Sequence, residues 1–228
     1  MRLGILVCWL LWILCYNCSY AKTVSLGPVQ LFRRKHGFKW EASIDRKAGI
    51  ASSMEVSSRC LRDKKEFPVK QIFHSYPTWL CRFPVSLGLL RSVRTDSGIC
   101  IQDRIFGRDL LIFGPAKSRL VSIALHEGTV QNTYSMELPI MGGLFAIPAP
   151  RAALLFTLST IHGKDSRNSE IVTRISGYRP ALIGQPPVSG VRSALYFSTQ
   201  SLVHAGVMWR FHGYCWSKRR AYSQIDSK

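Results

Sequence analysis

The chain has 228 residues, 46% of them apolar, and carries 31 Lys and Arg against 13 Asp and Glu, a formal net charge of +18. That apolar fraction excludes a disordered chain, and the length fits one domain with a sizeable core. The charge excess favours anionic partners and disfavours basic ones.

Residues 1–21 read as a targeting segment. Arg2 is a short positive stretch, and Leu3 to Tyr16 is uncharged over 14 residues. A spanning helix needs about 20 residues. The run therefore reads as the core of a secretory signal, cut after Ala21, with small residues at Ser19 and Ala21. An uncleaved anchor over residues 3–16, helped by Trp9 and Trp12, is the alternative. Cleavage leaves a single domain, 22–228, secreted or lumenal, with a net charge of +17 because Arg2 is lost. Four cysteines remain: Cys60, Cys81, Cys100 and Cys215. Two disulfides in any of three pairings fit them, and so do four buried free thiols.

Phe38 to Ile44 alternates apolar with polar or small residues, the pattern of a half-buried strand. Asp45 to Gly49 is a turn. Ile50, Met54 and Val56 then share one face of a second strand, with Ser53, Glu55 and Ser57 opposite. Phe67 to Gly88, interrupted by Pro68, Pro77 and Pro84, predicts irregular structure or short helices covering one end of the fold. Ile99 to Phe106 and Asp109 to Phe113 read as strands around Gly107-Arg108. Val121, Ile123 and Leu125 lead through His126-Glu127-Gly128 into a long strand. On it Val130, Asn132, Tyr134, Met136, Leu138 and Ile140 share one face. Leu154, Phe156 and Leu158, then Ile171, Thr173 and Ile175, predict two more strands.

Val191 to Trp216 has no proline and predicts a long helix. Leu195, Leu202, Trp209 and Trp216 recur every seven residues as a ridge expected to face the sheet. Ser198, Thr199, Ala205 and Gly206 form a small-residue groove beside it. Ser193 to Trp209 is 17 residues without a charged side chain. It is short for a membrane span and carries Gln200, His204 and several hydroxyls.

These elements predict an α+β fold: a curved antiparallel sheet of about seven or eight strands packed on one long C-terminal helix. From Phe38 to Trp216 this order resembles the START-like helix-grip superfamily, on strand order and final helix and without a residue motif. The resemblance implies an apolar ligand held between sheet and helix. Lipocalins are a second resemblance, though Gly37-Phe38-Lys39-Trp40 has one residue more than their early Gly-x-Trp.

The residues expected to line such a ligand site are Leu195, Leu202, Gly206, Trp209, Tyr134, Met136 and Phe156, against the plainer reading of a filled core. His204 and His212 are eight apart, not the four that lets two histidines share a metal on one helix face, and read as packing or surface residues. Asp103 and Asp109 flank a turn beside Arg104 and Arg108 and read as ion-paired. No motif specifies a reaction, a metal or a cofactor, and an enzyme ranks third among the function classes. Aromatic residues follow strand alternation rather than a base-stacking pattern, so no nucleic-acid partner is expected. Two classes remain. One is a non-enzymatic binding module for an apolar small molecule or lipid. The other is a basic membrane-associated or structural protein with a filled core, meeting an anionic membrane surface.

Overall fold

The computed structural model describes residues 37–61, 68–82, 85–124, 129–162 and 167–225. The predicted signal, residues 62–67 and the predicted turn at His126-Glu127-Gly128 lie outside them. The fold is α+β, as the sequence predicts: an open antiparallel sheet with a long C-terminal helix.

Ten strands are formed among the described residues. They are β1 (Lys39–Asp45), β2 (Ile50–Leu61), β3 (Leu90–Thr95), β4 (Gly98–Asp103), β5 (Asp109–Phe113), β6 (Lys117–Ala124), β7 (Val130–Gly142), β8 (Ala146–Ile147), β9 (Ala153–His162) and β10 (Arg167–Pro180). The main path runs β1-β2-β10-β9-β7-β5-β4-β3, with β6 on β7 and β8 on β10. The prolines of the irregular stretch give two short helices, α1 (Val69–His74) and α2 (Tyr76–Leu80). The final helix starts as α3 (Gly190–Tyr196), widens to a π-helical segment (Phe197–Ser201) and runs on as α4 (Leu202–Ile225).

Local chemistry explains these joints. Asp45 Oδ1 accepts the Lys47 and Ala48 amides, and Gly49 closes the β1–β2 turn with φ +66°. The Ser189 hydroxyl caps α3 by accepting the Arg192 amide at 3.3 Å. In the π segment, the Ser198 and Thr199 hydroxyls both donate to the Leu195 carbonyl, competing with backbone amides for that acceptor. β10 bulges between Ile175 and Tyr178, where Gly177 sits at φ +64° and a Cβ would meet the Arg151 carbonyl oxygen at 2.8 Å.

The second strand turns its polar face inward. Trp40 stands opposite Glu55 and Ala42 opposite Ser53, while Thr173 of β10 flanks Glu55 on the other side. Directly opposed residues share a face. β1 must bury Trp40, and β10 must bury Ile171, so Ser53, Glu55 and Ser57 go in with them.

The helix also presents a different side from the expected ridge. Its buried positions are Ser193, Tyr196, Ser201, Ala205, Met208, Phe211, His212, Cys215 and Trp216, while Leu195 is exposed and Trp209 is 36% exposed. A heptad drifts about 20° per repeat around a straight helix. That drift carries Trp216 into the buried face and leaves Trp209 and Leu202 on its flank. Leu202 packs there on the small cluster of Phe38, Trp40 and Ala205. A Cβ on Gly206 would meet nothing within 4 Å, so nothing described approaches the helix closely there.

The main core lies where α2 and α4 meet β7 and β9. Tyr76, Trp79 and Phe156 surround Phe211, with ring centroids 4.9, 4.9 and 5.4 Å from it. Phe73 of α1 adds contacts to Tyr134 and Phe156. Phe211→Ala should therefore cost roughly 3–5 kcal/mol, and Trp209→Ala less than half as much. Gly206→Ala should raise stability by up to about 1 kcal/mol, as expected for an open helical position. Urea denaturation midpoints of the three variants check this.

Candidate functional site

The seven residues expected around a ligand do not converge. Tyr134, Met136 and Phe156 are buried on the inner face of the sheet. Leu195 and Trp209 turn outward, Leu202 lies on the helix flank, and Gly206 borders open space. Between sheet and helix the space is taken by Met136, Phe156, Met208 and Phe211, all fully buried. Two shallow hollows among the described residues lie elsewhere. One of 360 Å³ is lined by Cys60, Gln131, Ser159 and Glu170, among others, and one of 230 Å³ by Met141 and Pro148 to Pro150 with Ile140.

What the sheet–helix interface does contain is a buried polar seam built on His212, a residue whose spacing from His204 predicts only packing. Trp216 Nε1–H donates to Ser57 Oγ at 3.0 Å. Ser57 Oγ lies 2.8 Å from His212 Nδ1, and His212 Nε2 lies 2.8 Å from Thr173 Oγ1. The order Trp216 to Ser57 to His212 to Thr173 gives each step one donor and one acceptor, with His212 neutral. Ser57 and His212 have the spacing of a nucleophile and its base. Both are buried under the helix, and neither lines either hollow. The arrangement ties the helix to β2 and β10.

Two residues back along β2, Glu55 is fully buried, and neither carboxylate oxygen receives a hydrogen bond from a described residue. His204 Nε2 lies 3.3 Å from Glu55 Oε1, within ion-pair reach but not aligned for a hydrogen bond. Burial, then the Glu55 charge, holds the Tyr76 and Tyr196 phenols well above their usual value. Among the described residues no group of three or more His, Cys, Asp or Glu could hold a metal.

Asp103 accepts the Phe106 and Arg108 amides, so backbone amides answer its charge first and the Arg108 guanidinium adds to them. Partial burial pushes its pKa up, but those amides outweigh it and the net shift is downward. Cys60, Cys81, Cys100 and Cys215 are free thiols; Cys60 is exposed, and Cys100 donates to Asp109 Oδ1.

The surface offers a more distinctive feature at one end of the sheet. Strand register brings three connections together there: the β1–β2 turn, the β7–β8 turn and residues 181–190. Val188 N donates to the Arg46 carbonyl at 2.8 Å, and Arg46 Nε donates back to Val188 O at 3.0 Å. The Phe145 carbonyl accepts from Ala181 N, Tyr178 Oη and Gln200 Nε2, which ties the π segment to the same end. Leu144, Leu182, Val191 and Leu195 are exposed there, Val191 at 80%. Arg46, Lys47 and Arg192 are exposed beside them. The nearby carboxylates are committed: Asp45 to the turn amides, and Asp109 to Cys100 and Gln102. The result is an apolar tip with a cationic border.

The chain matches no protein-family model and no curated protein.

The seam makes folding sensitive to acid. Burial, with nearby His204 adding to it, lowers the His212 pKa from 6.5 to about 3. Between those values the unfolded chain binds a proton that the folded chain refuses. Stability should thus be complete above pH 6.5 and fall as pH drops toward 3, by up to about 1.4 kcal/mol per pH unit. Whatever it costs at neutral pH, His212→Gln should flatten that slope. Urea denaturation across this range measures it, and equal slopes in the two proteins would contradict it.

Proposed function

We propose that the protein is a non-enzymatic, peripheral binder of anionic membrane surfaces that docks through its apolar, cation-bordered end. The observation that carries this reading is Val191, Leu195, Leu182 and Leu144 exposed together beside Arg46, Lys47 and Arg192. Apolar side chains at such a tip enter the head-group boundary, while cations beside them meet lipid phosphates. Each Lys or Arg near an anionic surface contributes about 1 kcal/mol. The overall charge of +18 adds long-range attraction of the same sign. No described helix is long and apolar enough to cross a membrane.

The order of strands followed by a helix supports kinship with the START-like helix-grip fold as an architectural proposal. An apolar ligand between sheet and helix has less support, because described side chains fill that space.

Flotation with vesicles of phosphatidylcholine, with and without phosphatidylserine, tests the proposal. Binding should require the anionic lipid. It should weaken with salt as the Debye length shrinks from about 10 Å at 0.1 M to about 3 Å at 1 M. Val191→Glu with Leu195→Glu should reduce binding by about tenfold or more, a loss of at least about 1.4 kcal/mol. Both sites are exposed, so the melting temperature should hold. Salt-indifferent binding to neutral vesicles, or an unaffected double variant, would overturn the proposal.

A further inference from the structure

Seven of the eight residues of β6 are exposed, and Val121 is half-buried. One edge of β6 pairs with β7, and among the described residues the other edge pairs with nothing. The helix cover also stops short of it. Leu120 stands opposite Tyr134, which Phe73 of α1 covers, yet Leu120 is 67% exposed. A strand open at its edge and on both faces is a template for pairing with another chain.

The residues of β6 describe its partner. Lys117 and Arg119 occupy the outer face at one end, and Val121 and Ile123 the same face at the other. Neither cation makes an ion pair with a described residue. A second copy fits this edge poorly. In any antiparallel two-fold pairing that keeps the faces aligned, Arg119 meets an outer-face residue of the other copy. That residue is a cation (Lys117 or Arg119) or an apolar side chain (Val121 or Ile123). Like charges directly opposite are destabilising, and an apolar residue leaves the guanidinium unanswered.

We propose that the free edge of β6 is a strand-addition site for an extended peptide that is β-branched in its first half and acidic in its second. Added antiparallel, such a strand places its apolar residues beside Ile123 and Val121 and its carboxylates beside Arg119 and Lys117. Backbone hydrogen bonds supply affinity, and the alternating side chains supply selectivity.

A fluorescein-labelled octapeptide that alternates threonine with valine, valine, glutamate and glutamate is the probe, read by anisotropy on the full chain. It should bind the unmodified protein and weaken with salt. A peptide with lysine in place of glutamate should bind about tenfold or more weakly, and Arg119→Glu should reverse that preference. Arg119 is exposed, so an unchanged melting temperature confirms that the variant folds. N-methylating one alternate set of peptide amides should abolish binding, and methylating the other set should leave it. Failure of the parent peptide to bind, equal affinity for both charge versions, or indifference to both methylation patterns would each overturn the proposal. So would a β6-mediated dimer in sedimentation that Arg119→Glu alters.

Discussion

Because Trp40 and Glu55 stand opposite each other across β1 and β2, they cannot be buried separately. A slip of one residue would turn Trp40, and every inward residue of β1 with it, toward solvent. Burying the indole therefore commits the fold to burying a carboxylate and, on the same strand, Ser53 and Ser57. Whatever covers β2 must answer that polarity. The final helix does so with His204 near Glu55 and with His212 and Trp216 on Ser57.

That requirement divides the work along the helix. Toward its C-terminal part, Phe211 sits in an aromatic nest with Tyr76, Trp79 and Phe156. His212, one residue on, makes directional bonds to two strands at once. A greasy contact tolerates sliding, whereas a pair of 2.8 Å hydrogen bonds does not. Near its start the helix is held differently. Gln200 and Tyr178 meet at the Phe145 carbonyl, and the Ser189 cap fixes the first turn. Tyr196 is its apolar anchor in the core, while Val191 and Leu195 on the other side stay exposed.

Strand alternation was legible in the sequence because period two is set by the backbone. The β1–β2 hairpin, the long β7 and the pairs around Phe156 and Ile171 all lie where it put them. The inward face of β2 was not legible. Alternation says which residues share a face, and only the cross-strand partners, Trp40 and Thr173, decide which face is inside. β3 was missed because Leu90 to Thr95 is mostly polar, consistent with its place at the sheet edge. The start of the helix was legible, but not its π segment, its run past Trp216 to Ile225, or its rotation. A seven-residue ridge looks like a stripe on paper, yet it winds about 20° per repeat around a straight helix. The proposed site residues inherited that error, since Leu195 and Trp209 were read as facing Tyr134, Met136 and Phe156. The His204–Glu55 contact had no local signal, because 149 positions separate its partners.

The two proposed surfaces do not compete for the same ground. The apolar tip gathers at the β7–β8 turn, past the point where Pro139 pairs with Ala153. β6 instead borders Val130 to Glu137, the half of β7 that leads away from that turn. Its Lys117 end lies nearer the tip and its Ala124 end farther off, so a strand added antiparallel would place its acidic half toward the tip. Carboxylates there would face the same anionic surface that the tip is proposed to meet. Over a separation beyond about 10 Å, salt at 0.1 M screens that repulsion, while the Arg119 and Lys117 contacts act at direct range. At low ionic strength the two occupants would oppose each other; near physiological salt their coupling would be weak.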